Sequence, residues 1–120
     1  MEFGKFLRHN RKMKKQNIYQ FSQAIGISGS YLSSLENGLR NPPSFELLTR
    51  IADYLELDQT DRATLFDLAA KSKKPPEIAG DLTAYIYSVP KLHETLRLSL
   101  NLALTDENWE QISQYIKDNF

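Results

Sequence analysis

The residues of this chain that have chemistry to offer are hydroxyls, carboxamides and guanidinium groups. Ser28, Ser30, Ser33 and Ser34 precede Asn37, and Arg40 and Asn41 follow at once. No serine is paired with a base at a motif spacing, and no glycine-rich loop of the phosphate-cradling kind occurs. Glu36 has no second acid or nucleophile placed to share general acid–base work. His9 and His93 stand alone, and with no cysteine in the chain neither a disulfide, a thiolate nor a cysteine zinc site can form. The expectation is a protein with no catalytic residues, no metal and no cofactor. What remains is recognition chemistry, meaning hydrogen-bond donors and acceptors together with positive charge. Lys5, Arg8, Arg11, Lys12, Lys14 and Lys15 oppose only Glu2 near the N-terminus, whereas from Leu57 onward seven Lys and Arg face ten Asp and Glu. The formal net charge of zero therefore hides a basic end suited to phosphates and an acidic end that is not.

Helices must position these groups, because apolar residues recur at helical spacing and no strand-like alternation of useful length appears. Phe3, Phe6, Leu7 and Met13 mark a first amphipathic helix from about Glu2 to Lys14. Asn17 caps a second, with Gln20 at the capping-box position and Ile18, Phe21 and Ile25 as its core stripe. Gly26 ends it, and Ser28 caps a third helix bearing Tyr31, Leu32 and Leu35, which stops at Asn37-Gly38. Beyond Pro42-Pro43, Ser44 caps a fourth helix with Phe45, Leu47, Leu48, Ile51, Ala52 and Leu55 facing inward; it ends near Leu57. Thr60 or Asp61 opens a fifth, in which Ala63, Leu65, Phe66, Leu68 and Ala69 are the apolar set. The stretch Lys71-Ser72-Lys73-Lys74-Pro75-Pro76 breaks the pattern and sets a boundary between residues 1–71 and 72–120. Three further helices follow, near Ile78–Tyr87, Pro90–Leu102 and Asp106–Asn119, the last capped by Thr105. The fold class is all-α.

Two short helices joined by a tight Gly-containing turn, the second capped and polar on its outer side, form the arrangement that enters a DNA major groove. The details are Leu7 and Arg11, Asn17 through Ser22, Gly26-Ile27-Ser28, Tyr31-Leu32-Ser33-Ser34-Leu35-Glu36-Asn37-Gly38, Asn41-Pro42, and Leu47-Leu48 through Leu55. This run resembles the lambda-repressor-like, or Xre, family of helix-turn-helix regulators over about Glu2 to Leu57. The resemblance implies a five-helix DNA-binding domain in which Arg11 and Glu36 form a partly buried ion pair linking the first and third helices. It implies that Ser28, Gly29 and Ser30 point at base edges and that Ser33 and Ser34 continue the exposed side. Asn37, Arg40 and Asn41 match positions that approach backbone or bases, and Arg40 is expected to be the strongest single contact. Serine pairs with several bases and Gly29 carries no side chain, so groove shape is expected to share in the recognition. Ile18 departs from the family, which places a phosphate-binding glutamine there. The helix N-terminus at Asn17, with Lys15, Gln16 and Tyr19 nearby, is expected to substitute, and Tyr31 is a further candidate.

From Leu82 to Phe120 the chain carries Tyr85, Ile86, Leu92, Leu96, Leu98, Leu100, Leu102, Leu104, Trp109, Ile112, Tyr115, Ile116 and Phe120, more apolar side chains than three short helices readily hide. Helix-turn-helix proteins of this kind bind paired half-sites as dimers, so the expectation is a homodimer on a double-stranded DNA operator, acting as an autoregulatory repressor. The alternative is an antitoxin whose C-terminal helices mask a toxin, or a partner of another regulator. No stretch approaches the roughly 20 apolar residues that cross a bilayer, and the charged N-terminus has no signal-peptide core, so the expected location is the cytoplasm, off the membrane.

Overall fold

The computed structural model describes residues 1–120 and contains eight α-helices and no strand. In chain order they are α1 (Phe3–Met13), α2 (Ile18–Ile25), α3 (Gly29–Glu36), α4 (Phe45–Tyr54), α5 (Gln59–Ser72), α6 (Gly80–Ser88), α7 (Pro90–Asn101) and α8 (Asp106–Asn119). Contacts gather them into two compact units, Met1–Thr83 and Ala84–Phe120.

The first unit has one core. Leu7, Phe21, Leu32, Ile51 and Leu65 are fully buried, and Phe3, Ile25, Leu35, Leu48, Phe66 and Ala69 complete the centre. Each large apolar side chain so buried contributes about 1.5–3 kcal/mol over leaving it in water. The residues come from the periodic stripes of α1 to α5, with two exceptions. Met13 is exposed, because it falls on the charged side of α1 beside Lys12 and Lys14. Phe45 is 38% exposed, although its ring lies 4.9 Å from that of Phe66. The unit continues past the Pro75-Pro76 break. The Glu77 amide donates to the Ala70 carbonyl at 3.0 Å, Ala79 is buried, and Gly80 lies so close to Phe45 that a Cβ would come within 2.3 Å of the ring. Only a glycine admits that approach.

Caps set most helix starts. Asn17 Oδ1 accepts from the Gln20 amide while Gln20 Oε1 accepts from the Asn17 amide, and Ser28, Ser44 and Thr105 each accept from the amide three residues on. Two starts differ from expectation. Asp58, accepting from the Asp61 amide at 2.8 Å, opens α5 ahead of Thr60, and α6 begins at Gly80 with Ile78 left exposed. The ends of α1, α2, α3, α4 and α7 share a left-handed residue whose amide, with the next one, returns to carbonyls of the last turn. Gly26 (φ 77°) and Gly38 (φ 72°) do this without strain, but Lys15 (φ 58°), Glu56 (φ 54°) and Ala103 (φ 52°) occupy the same position with a Cβ.

The second unit holds the end of α6 with α7 and α8. It has no fully buried apolar side chain. Leu98, Leu100, Leu102, Tyr115 and Ile116 are each more than half exposed, while Leu92, Leu96, Trp109 and Ile112 are half-buried. Its one buried residue is Ser99, whose hydroxyl donates to the Leu96 carbonyl at 2.7 Å. No helix of the chain is long and apolar enough to cross a membrane.

Candidate nucleic-acid interface

The candidate interface is built on α2, the turn at Gly26, and α3. Gly26 reverses the chain in the left-handed region, and Arg50 of α4 donates through Nη1 to the Ile25 carbonyl at 3.1 Å, holding the last turn of α2. Ser28 then starts α3, so the serine that ends the turn is also committed to the backbone. Along α3 the buried side is Leu32, Leu35 and Glu36. Ser30, Ser33, Ser34 and Asn37 fall at the i, i+3, i+4, i+7 interval of the opposite side, where Ser30 and Asn37 are exposed and Ser33 and Ser34 half-buried. Gly29 faces α2, where a Cβ would make an ordinary van der Waals contact, 3.5 Å from Ile18 Cγ2. Ile18 is thus a packing residue, which accounts for its apolar character.

Glu36 is 4% exposed, and a buried carboxylate needs paired charge and full hydrogen bonding. Arg11 supplies both, Nε donating to Oε2 at 2.7 Å and Nη2 to Oε1 at 3.0 Å, while its Nη1 donates to the Gln16 carbonyl at 2.8 Å. The hydrogen bond to Glu36, helped by the charge attraction and opposed by burial, raises the Arg11 pKa above the ordinary guanidinium value. A raised pKa on a cation leaves its contribution complete below that value, so Arg11 holds the pair throughout the working pH range. The helices can pair because Gly4 lets α1 meet the end of α3; a Cβ there would lie 2.4 Å from the Glu36 carbonyl oxygen.

Beyond α3, Arg40 places its guanidinium 5.3 Å from the Tyr31 ring centroid, and Tyr31 itself packs partly against the core. Tyr31 therefore supports Arg40 in addition to any contact of its own. Asn41 is exposed. At the start of α2, Asn17 is exposed with its carbonyl oxygen spent on the cap and its amide nitrogen free of protein partners, and Tyr19 is 67% exposed. Lys15 is exposed in its left-handed conformation. Gln16 is not free to replace a phosphate-binding glutamine, because its Nε2 donates to the Tyr54 hydroxyl. A cleft of about 560 Å³ opens between α1 and the loop after α3, with Lys5, Arg8, Arg40 and Lys74 on its walls.

Two positioning residues escaped the sequence reading. Arg50 gives no local signal, since its partner lies on another helix. Arg8 sits one turn before Arg11 on the same face of α1 and donates through Nε to Glu36 Oε1 at 3.3 Å and through Nη2 to Asn37 Oδ1 at 2.5 Å. The i, i+3 spacing of two arginines was its only mark.

The family model for a helix-turn-helix domain matches residues 2–65. The chain belongs to this family and is an Xre-like helix-turn-helix protein. Over 64 residues it is 38% identical to the HTH-type transcriptional regulator SlrR of Bacillus subtilis (strain 168), a match covering 53% of this chain and 40% of that protein. Over 57 residues it is 39% identical to the ImmF control region 10 kDa protein of Bacillus phage phi105, covering 48% of this chain and 62% of that one. The chain thus spans less than two thirds of the curated relatives it matches. A solved SinR protein/SinI protein complex contains a chain aligned over 96% of this one and 94% of its own length, with 19% identity and a TM-score of 0.49.

Proposed function

We propose that this protein is a cytoplasmic, sequence-specific transcriptional repressor that occupies a palindromic operator as a homodimer. DNA recognition is assigned to residues 1–71 and association to 72–120. The observation that carries the reading is the polar side of α3, with Ser30, Ser33, Ser34 and Asn37 together, Arg40 over the Tyr31 ring of the same helix, and the helix held to α1 by the Arg11–Glu36 pair. Small hydroxyls let the helix backbone come close to the base edges, while Arg40 supplies the one side chain of this group able to make a bidentate contact to guanine. Ser28 and Gly29 at the helix start, with Asn17, Lys15 and Tyr19 at the start of α2, meet the flanking phosphates and the first base edge. Dimerisation is supported by the exposed apolar side chains of α7 and α8, since a single helix-turn-helix unit covers little DNA.

Those same exposed side chains favour a second reading, in which α7 and α8 bind a different protein, either a toxin or another regulator. Sedimentation of the purified chain, alone and with a duplex enriched from a random-sequence library, tests both. The repressor reading expects a dimer that binds the enriched duplex and weakens steeply from about 50 to 200 mM salt, as phosphate contacts require. A monomer that enriches no sequence rejects it and leaves the protein-partner reading in its place.

A further inference from the structure

We infer that Arg8 is a positioning residue for base recognition, acting through Asn37 and setting which hydrogen-bonding group Asn37 presents to DNA. The inference rests on the DNA-binding reading above. A guanidinium has five donors and no acceptor, so only the carbonyl oxygen of Asn37 can face it. That oxygen accepts from Arg8 Nη2 at 2.5 Å, and the Asn37 amide nitrogen lies 3.4 Å from Ser33 Oγ, to which it donates. Both ends of the carboxamide are thereby fixed. Of its two N–H groups one points to Ser33 and one remains, so Asn37 offers a donor outward while its acceptor is turned towards α1.

Arg8 is itself held, because its Nε donates to Glu36 Oε1, the oxygen that also accepts from Arg11 Nη2. Its side chain is 41% exposed, whereas that of Glu36 is 1% exposed, so the arm runs from a buried carboxylate out to an exposed amide. A donor at this position matches the O6 and N7 acceptors of guanine, the N7 of adenine or the O4 of thymine in the major groove, and mismatches the N4 amino group of cytosine. Without Arg8 only Ser33 holds the carboxamide, and because a hydroxyl donates or accepts equally well, either end of Asn37 can then turn outward.

The test compares the base preferences of the whole chain, of Arg8→Met, Asn37→Ala and the double variant, by enrichment from a random duplex library and titration of the wild-type consensus. Arg8→Lys serves as the conservative control, since it keeps the charge and loses the fork. The expected result is that Arg8→Met and Asn37→Ala relax preference at the same base pair. Each should cost about fivefold in affinity for the consensus, near the lower end for a base contact. The double variant should be no worse than Asn37→Ala. The salt slope should be unchanged, and thermal unfolding should show every variant folded at the assay temperature. A loss equal across all sequences, with a salt slope shallower by about 0.9, would mean that Arg8 meets a phosphate directly and would overturn the proposal. Additive losses in the double variant would do the same. If the wild-type chain enriches no sequence, the DNA-binding reading itself has failed, visibly and before any variant is compared, and this inference falls with it.

Discussion

Arg11 and Glu36 lie twenty-five residues apart and meet through two parallel hydrogen bonds in which each N–H of the guanidinium fork finds its own carboxylate oxygen. Both side chains are nearly inaccessible, so Arg11 without Glu36 is a buried, uncompensated charge, and Glu36 without Arg11 keeps only the longer contact from Arg8. Arg11→Met or Glu36→Gln is expected to destabilise the chain by about 3–5 kcal/mol, read by urea unfolding. The paired change Arg11→Met with Glu36→Leu should recover much of that loss. A single variant costing under about 1 kcal/mol would contradict the buried-pair account.

Gly4 is where α1 rests on the end of α3, and the atom that a side chain would strike is backbone, which cannot swing aside. Gly4→Ala is expected to cost about 1–3 kcal/mol in stability. It should also weaken DNA binding more than an equally destabilising change such as Leu65→Val in α5, because the displaced element is the recognition helix. Equal binding losses at equal stability would show that the α1–α3 contact is only structural.

Arg40 and Tyr31 should behave as one unit. Arg40→Ala is expected to weaken binding to an enriched duplex by about 1–3 kcal/mol. Tyr31→Leu, which keeps the apolar volume but removes the ring face, should cost less and add nothing once Arg40 is gone. Fluorescence anisotropy on the two singles and the double decides it; independent losses would separate the pair.

Glu56 ends α4 in the left-handed conformation with a Cβ, and its side chain is exposed. Glu56→Gly is expected to stabilise the chain by about 0.5–1 kcal/mol, the relief of that backbone cost less the added freedom of the unfolded glycine. Gly26→Ala should shift the melting temperature the other way. A fall in stability for Glu56→Gly would show that the side chain has a role the geometry does not reveal.

Leu98 on α7 and Leu102 at its C-cap are 56% and 65% exposed. The double change to lysine is expected to convert a sedimenting dimer into a monomer while the unfolding of residues 1–83 stays as it was. A variant that remains dimeric would move the association surface elsewhere.

How much of this was legible beforehand depended on whether the cause was local. Asn17, Ser28, Ser44 and Thr105 announce their helices because a cap and its amide lie three residues apart, and the apolar stripes of α1 to α5 follow from period alone. The start of α5 is not fixed by sequence alone because Asp58, Thr60 and Asp61 are all competent caps within four residues, and only the hydrogen bond from the Asp61 amide selects Asp58. The ends at Lys15, Glu56 and Ala103 carry no glycine to mark them. The Arg11–Glu36 pair could be named from family resemblance, but Arg8 and Arg50 act across 29 and 25 residues on partners with no sequence signature.

The bond from Arg50 to the Ile25 carbonyl ties the bend between α2 and α3 to a third helix. Ordering a residue costs about 1–2 kcal/mol of conformational entropy, and here that cost is met when the chain folds, not when it meets a ligand. A docking edge held in this way would be preassembled, and its association rate would be governed by diffusion and electrostatic steering rather than by waiting for a loop to settle. Changes in α4, remote from any base, would then register first as slower capture.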